Sequence, residues 1–122
     1  MGFGVAAAER AAIEATYEDR AEVYRTENRT EGSITRKTQK RIYDSLPCGL
    51  SYSGPGDGKQ TRAQNQVEYD AVVFLAPEPE IAPGDRIRLV RLGRIPLAFS
   101  VVGRPAVYAT HQEVKVREEA LA

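Results

Sequence analysis

Val67-Glu-Tyr-Asp-Ala-Val-Val-Phe-Leu75, then Ile81-Ala-Pro-Gly-Asp85, then Arg86-Ile-Arg-Leu-Val-Arg-Leu92 read as strand, turn and strand. β-Branched and aromatic residues fill the first run, and Pro83-Gly84-Asp85 sets a turn before the second. Downstream, Gly93-Arg94 predicts a hairpin turn, and 96–102, 106–110 and 112–116 supply three more short strands. Short strands punctuated by Gly and Pro about every 8–12 residues indicate a small barrel or sandwich.

Upstream, 5–19 is rich in Ala, Glu and Arg and free of Gly and Pro, which predicts a helix. Ala6, Ile13 and Tyr17 fall on one helical face, and Arg10 can pair with Glu14 one turn on. The chain then turns to β character at 21–26, with a turn at Glu31-Gly32-Ser33 and a partner strand over 34–43. Leu46-Pro-Cys-Gly-Leu-Ser-Tyr52 reads as a further short buried strand. Residues 53–65, Gly-rich and polar, read as a flexible loop of a length that is uncommon without a use.

The expected fold is mainly β: a small SH3-like, OB-like or sandwich-like β-barrel with an N-terminal helix and one long flexible internal loop. One domain spans 1–122, divided as helix 5–19, first strands 20–52, loop 53–65, remaining strands 66–116 and tail 117–122. The expected core positions are Ile13, Tyr17, Val23, Leu46, Leu50, Val72, Phe74, Ile87, Leu89 and Val107.

Composition narrows the function. Lys+Arg and Asp+Glu balance at 17 each in a chain of 122 residues, which argues against a dedicated DNA-coating protein. Hydrophobic residues make up 42% and charged residues 28%, giving a modest core under a heavily solvated surface. Cys48 is the lone cysteine, so neither an intramolecular disulfide nor a zinc site built on paired thiolates is expected. The N-terminus lacks the pattern of a secretory signal, and no apolar run has the length of a membrane span. Folding in the cytoplasm, without a membrane partner, is expected.

Catalytic signals are weak. His111 is the only histidine, and no Gly-x-Ser-x-Gly elbow activates a serine. His111 and Glu113 point the same way on a strand, but two ligands fall short of a metal site, so an interface or structural histidine is the better reading. Cys48, between Pro47 and Gly49 in an apolar run, reads as a small core residue. The 54–59 segment lacks phosphate-loop spacing, and Glu78 and Glu80 flank a proline with no apolar setting to raise a pKa. No enzyme activity and no cofactor are expected.

Two basic strands remain, Arg36, Lys37, Lys40 and Arg41 on one and Arg86, Arg88, Arg91 and Arg94 on another. They are either solvated faces or a patch for DNA or an acidic partner.

Certain blocks, in order and spacing, resemble a phage family. They are Ala12-Ile-Glu-Ala-Thr-Tyr-Glu-Asp-Arg-Ala-Glu-Val-Tyr24, Gly32-Ser-Ile-Thr35, Leu46-Pro-Cys-Gly-Leu-Ser51, Phe74-Leu-Ala-Pro77, Ile81-Ala-Pro-Gly-Asp85, Gly103-Arg-Pro-Ala-Val-Tyr108 and Thr110-His-Gln-Glu113. The chain resembles the head–tail connector or head-closure ("stopper") proteins of tailed bacteriophages, in the Bacillus defective-prophage and skin-element branch. The charged tail from Arg117 departs from that pattern.

The resemblance implies a structural protein of the virion neck, assembled in the host cytoplasm. It would form a ring beneath the portal and adaptor (a dodecamer or hexamer if it follows portal symmetry), close the DNA-filled head and offer the tail-docking surface. The implied partners are further copies of the chain, the portal-adaptor (head completion) protein, the tail terminator or tail-completion protein and packaged double-stranded DNA. Within that picture, Asp57, Lys59, Arg62 and Gln64 are the expected channel or DNA contacts of the 53–65 loop, which otherwise is an ordinary surface loop. Arg36, Lys37, Lys40 and Arg41 are the expected interface or DNA-facing residues. The alternative is a monomeric OB- or SH3-like nucleic-acid-binding module. The isolated protein is expected to be monomeric or weakly associated.

Overall fold

Ala71, Val73 and Leu75 are fully buried, while Val72 and Phe74 between them lie half-buried on the opposite face. The strand they form, β3 (Ala71–Leu75), is one of seven in a computed structural model that describes residues 2–52 and 68–120. The others are β1 (Asp19–Glu31), β2 (Ile34–Tyr52), β4 (Arg86–Arg91), β5 (Ile95–Val101), β6 (Ala106–Val107) and β7 (Gln112–Glu119), preceded by the helix α1 (Gly2–Glu14). All pairings are antiparallel, in the order β3-β2-β1-β4-β5-β7-β6, and β3 also pairs with β7. The sheet therefore closes on itself, and the fold is mainly β and barrel-like, as the punctuated strands predict.

Alternation fills the interior. Ile87 and Leu89 of β4, Phe99 and Val101 of β5, and Val114 and Val116 of β7 point inward beside Val23, Cys48 and Val73. Each fully buried Leu, Ile, Val or Phe stabilises the barrel by about 1.5–3 kcal/mol. Val23, Ile87 and Leu89 are core residues as expected, and Leu46 and Leu50 pack against the core from partly buried positions. Val72 and Phe74 are a correction: the barrel takes the other face of β3. Their own face lies outside it, where Phe74 shares a cavity of about 450 Å³ with Ile13 and Tyr17. A strand covered on both faces loses the alternation that would have revealed its direction. Val107 is a second correction, 61% exposed on the two-residue β6.

The helix runs Gly2–Glu14 rather than 5–19. It ends in tightened turns, with Thr16 N–H donating to Ile13 O and Tyr17 N–H to Glu14 O at 3.0 and 3.1 Å. Ala6, Arg10, Ile13, Glu14 and Tyr17 form its half-buried stripe, while Ala7, Ala8, Ala11 and Ala12 are exposed. Two contacts seat it. Arg10 donates to both carboxylate oxygens of Glu78 at 2.6 Å and to Glu14 at 2.7 Å. Tyr17 packs against Gly49, where an added Cβ would stand 3.3 Å from the tyrosine Cδ1. A larger residue there requires the ring to give way by a few tenths of an ångström.

The turns follow their sequence. Gly84, at φ 92°, is the third residue of a type II turn closed by Asp85 N–H donating to Ala82 O, with Pro83 in the preceding position. The β4–β5 turn centres on Leu92 and Gly93, one residue earlier than expected, and both have positive φ, 53° and 74°. Arg94 N–H donates to Arg91 O across it, which makes it a type I′ turn. Residues 117–119 extend β7 along β5 instead of forming a tail.

Candidate docking arm

The 34–43 and 46–52 segments, expected as two strands, are one continuous strand of 19 residues. Its first part pairs with β1 from Tyr24↔Arg41 to Glu31↔Ile34, and Gly32 and Ser33 close the hairpin. From Glu27 to Lys37 every residue is exposed on both faces. This part of the β1–β2 hairpin leaves the barrel as a two-stranded arm.

A bulge marks the departure point. The β1–β2 register shifts between Ala21 and Tyr24, and Ser45 takes a left-handed φ of 33°. Bulges bend a strand and increase its twist, which carries the arm away from the barrel wall. Arg25 clamps the arm's root by donating through Nε and Nη2 to the two carboxylate oxygens of Asp85, each at 2.8 Å. Asp85 is 2% exposed, and it also accepts Ala82 N–H at 2.9 Å. Arg25 Nη2 donates to Glu80 O at 3.2 Å, and the Tyr43 hydroxyl accepts Glu80 N–H at 2.9 Å. Gln112, buried at the start of β7, donates to Ala76 O and Pro79 O and holds the other end of that loop. Arg25 and Asp85 stand 60 positions apart, so sequence reasoning saw Pro83-Gly84-Asp85 as a turn and missed the carboxylate's second task.

Antiparallel pairing sorts the arm's side chains onto two faces. One carries Arg25 and Lys40, Glu27 and Thr38, Arg29 and Arg36, and Glu31 and Ile34; the other carries Tyr24 and Arg41, Thr26 and Gln39, Asn28 and Lys37, and Thr30 and Thr35. Arg36, Lys37, Lys40 and Arg41 therefore split between faces. Arg36 lies 3.9 Å from Glu31, Lys40 3.8 Å from Glu27, and Arg41 3.5 Å from Glu22. Nearby Asp44, then Tyr24 and Glu22, raise the Arg41 pKa further. The second basic strand is dispersed: Arg86 pairs with Glu119 at 2.6 Å, Arg88 faces solvent, and Arg91 reaches over the Tyr52 ring at 6.0 Å. Asp57, Lys59, Arg62 and Gln64, with the rest of the 53–65 segment, lie outside the described residues.

His111 is held by Thr110 Oγ1 at 2.9 Å on Nδ1 and Glu113 Oε2 at 3.0 Å on Nε2, and it stacks on Tyr108 with centroids 5.0 Å apart. Among the described residues no three His, Cys, Asp or Glu side chains converge as a metal site. Burial pushes the Cys48 thiol up to about 12, with Asp19 adding to the shift, which suits a core residue and not a nucleophile. Arg10 hydrogen bonds lower the Glu78 pKa. No described helix is long and apolar enough to cross a membrane.

No family model and no curated protein matches the chain. Its fold is similar to the solution structure of protein SF1141 from Shigella flexneri 2a, with a TM-score of 0.72 and 14% identity over 87% of this chain and 96% of that one. At that identity the likeness shows a shared fold and nothing of function.

Proposed function

We propose that the protein is a structural component of the virion neck, a ring beneath the portal and adaptor that closes the DNA-filled head and receives the tail. The observation carrying this reading is the β1–β2 arm. A two-stranded ribbon is marginal by itself in water, yet here Arg25 and Asp85 fix its root. A protruding ribbon whose side chains are exposed on both faces is suited to gripping a neighbouring protein. The ordered blocks that resemble head-closure proteins supply the biological setting, and the exposed alanine face of α1 adds a second surface for a partner.

A prophage lacking the gene should yield DNA-filled heads and free, unjoined tails by electron microscopy, and added purified protein should restore joined particles. Normal particles without the gene would overturn the proposal. The competing reading, a monomeric nucleic-acid-binding module, draws on the same basic strand. It would show as tight binding of the isolated chain to DNA that weakens steeply with salt.

A further inference from the structure

Both long edges of the arm lack a strand partner among the described residues. Pairing of β4 with β1 stops at Tyr24, and pairing of β3 with β2 begins only at Gly49. Among the described residues, the outer backbone groups along 25–31 on one side and 34–43 on the other have no ladder partner, and such edges template strand addition.

The two edges differ in charge. Between Thr26 and Glu31, β1 carries Glu27 and Glu31 against Arg29. Between Ile34 and Arg41, β2 carries Arg36, Lys37, Lys40 and Arg41 and no acid. Inside the ribbon these charges are badly matched. Arg29 stands opposite Arg36 and Arg25 opposite Lys40, while Glu27 and Glu31 face Thr38 and Ile34. Like charges directly opposed destabilise a hairpin, and the available acid–base contacts are long.

We propose that the arms of neighbouring copies pair edge to edge, the β1 edge of one against the basic β2 edge of the next. Ribbons standing side by side bring β1 and β2 together antiparallel, the same sense they have within the hairpin. Pairing β2 with β2 would oppose two basic edges, so a symmetric dimer through β2 is disfavoured. A contact between unlike edges is head-to-tail and generates a closed ring or an open series. The inference rests on the ring reading, since it needs copies side by side.

Charge exchange tests it. One variant, Glu27→Lys with Glu31→Lys, makes both edges basic; another, Arg36→Glu, Lys37→Glu and Lys40→Glu, makes both acidic. By sedimentation at low salt and high concentration, the unaltered protein should self-associate and each variant should do so about tenfold more weakly or worse. An equal mixture of the two variants should recover the association. Circular dichroism checks that both keep the barrel. As an independent measurement, oxidising an equimolar mixture of Asn28→Cys and Lys37→Cys proteins should give the mixed disulfide well above the twofold excess over each like pair that random pairing gives.

A strictly monomeric parent, an unrestored mixture, or a mixed disulfide at no more than twice each like pair would each overturn the proposal. So would duplex DNA binding that the acidic variant loses, if mixing restores no association, because the arm would then be a nucleic-acid contact. If the arms fail to pair while the protein still joins heads to tails, only the arm inference falls. If they pair and heads stay unjoined, the neck reading falls instead.

Discussion

The Arg25 guanidinium meets the Asp85 carboxylate through two parallel hydrogen bonds of 2.8 Å, joining the arm's root to the turn that opens β4. Asp85 is 2% exposed and Arg25 40%, so the acid depends on its partner more than the base does. Arg25→Ala strands a buried carboxylate, which costs about 1–3 kcal/mol, toward the lower end because water reaches the site from the arginine side. The expected outcome is a lower unfolding midpoint together with faster proteolysis within 25–41. Unchanged arm proteolysis would show that the clamp does not hold the arm.

Leu92 is a bulky residue in a left-handed conformation, at φ 53°, with its N–H donated to the buried Asp19 at 2.9 Å. That conformation costs a non-glycine residue about 1–2 kcal/mol, and a type I′ turn prefers Asn at this position. Leu92→Asn is expected to stabilise the isolated protein by about 1 kcal/mol, read as a raised midpoint in denaturant. The side chain is 52% exposed, so the leucine serves no core, and loss of head–tail joining in this more stable variant would assign it to an interface.

The seat of α1 is expected to loosen in acid. Hydrogen bonds from Arg10 hold the Glu78 carboxyl below the usual glutamate range, so the unfolded chain binds this proton more readily than the folded one. The contact therefore contributes above the ordinary glutamate pKa and is lost as pH falls through the lower folded value. Amide exchange across 10–17 should accelerate in that window before the barrel amides respond. Glu78→Gln should bring the same acceleration at neutral pH.

Cys48 provides a probe of opening. Its thiol pKa moves from 9.0 to about 12 on folding, so a disulfide reagent at about pH 8 should label the native protein at least about a hundredfold more slowly than the unfolded chain. Because the unfolded thiol ionises first, stability should decline as pH rises above 9 toward 12. Rapid native labelling would contradict the buried position.

Local chemistry was legible from single stretches. Pro83-Gly84-Asp85 announced its turn, Gly32-Ser33 its hairpin, and alternation in β4 named Ile87 and Leu89 as core. What stayed hidden depended on partners far along the chain. Asp44 and Ser45 read as a break, because nothing local shows that a bulge lets β2 continue through them. Val72 and Phe74 read as inward, yet Ala71, Val73 and Leu75 face the interior, and Phe74, the largest side chain of the strand, faces the cavity beside α1. The basic run at 36–41 looked like one patch until antiparallel pairing dealt its members to opposite faces.

The 19 residues of β2 run without interruption along a contour of roughly 60 Å at about 3.3 Å per residue, bent at the bulge by Ser45. One end is the arm's tip; near the other is Gly49, the bearing on which Tyr17 rests. Between them the bulge at Ser45 serves as a flexure and the Arg25–Asp85 clamp as a fulcrum. A pull on the tip would therefore act on a lever whose far end, at Gly49, bears the ring of Tyr17.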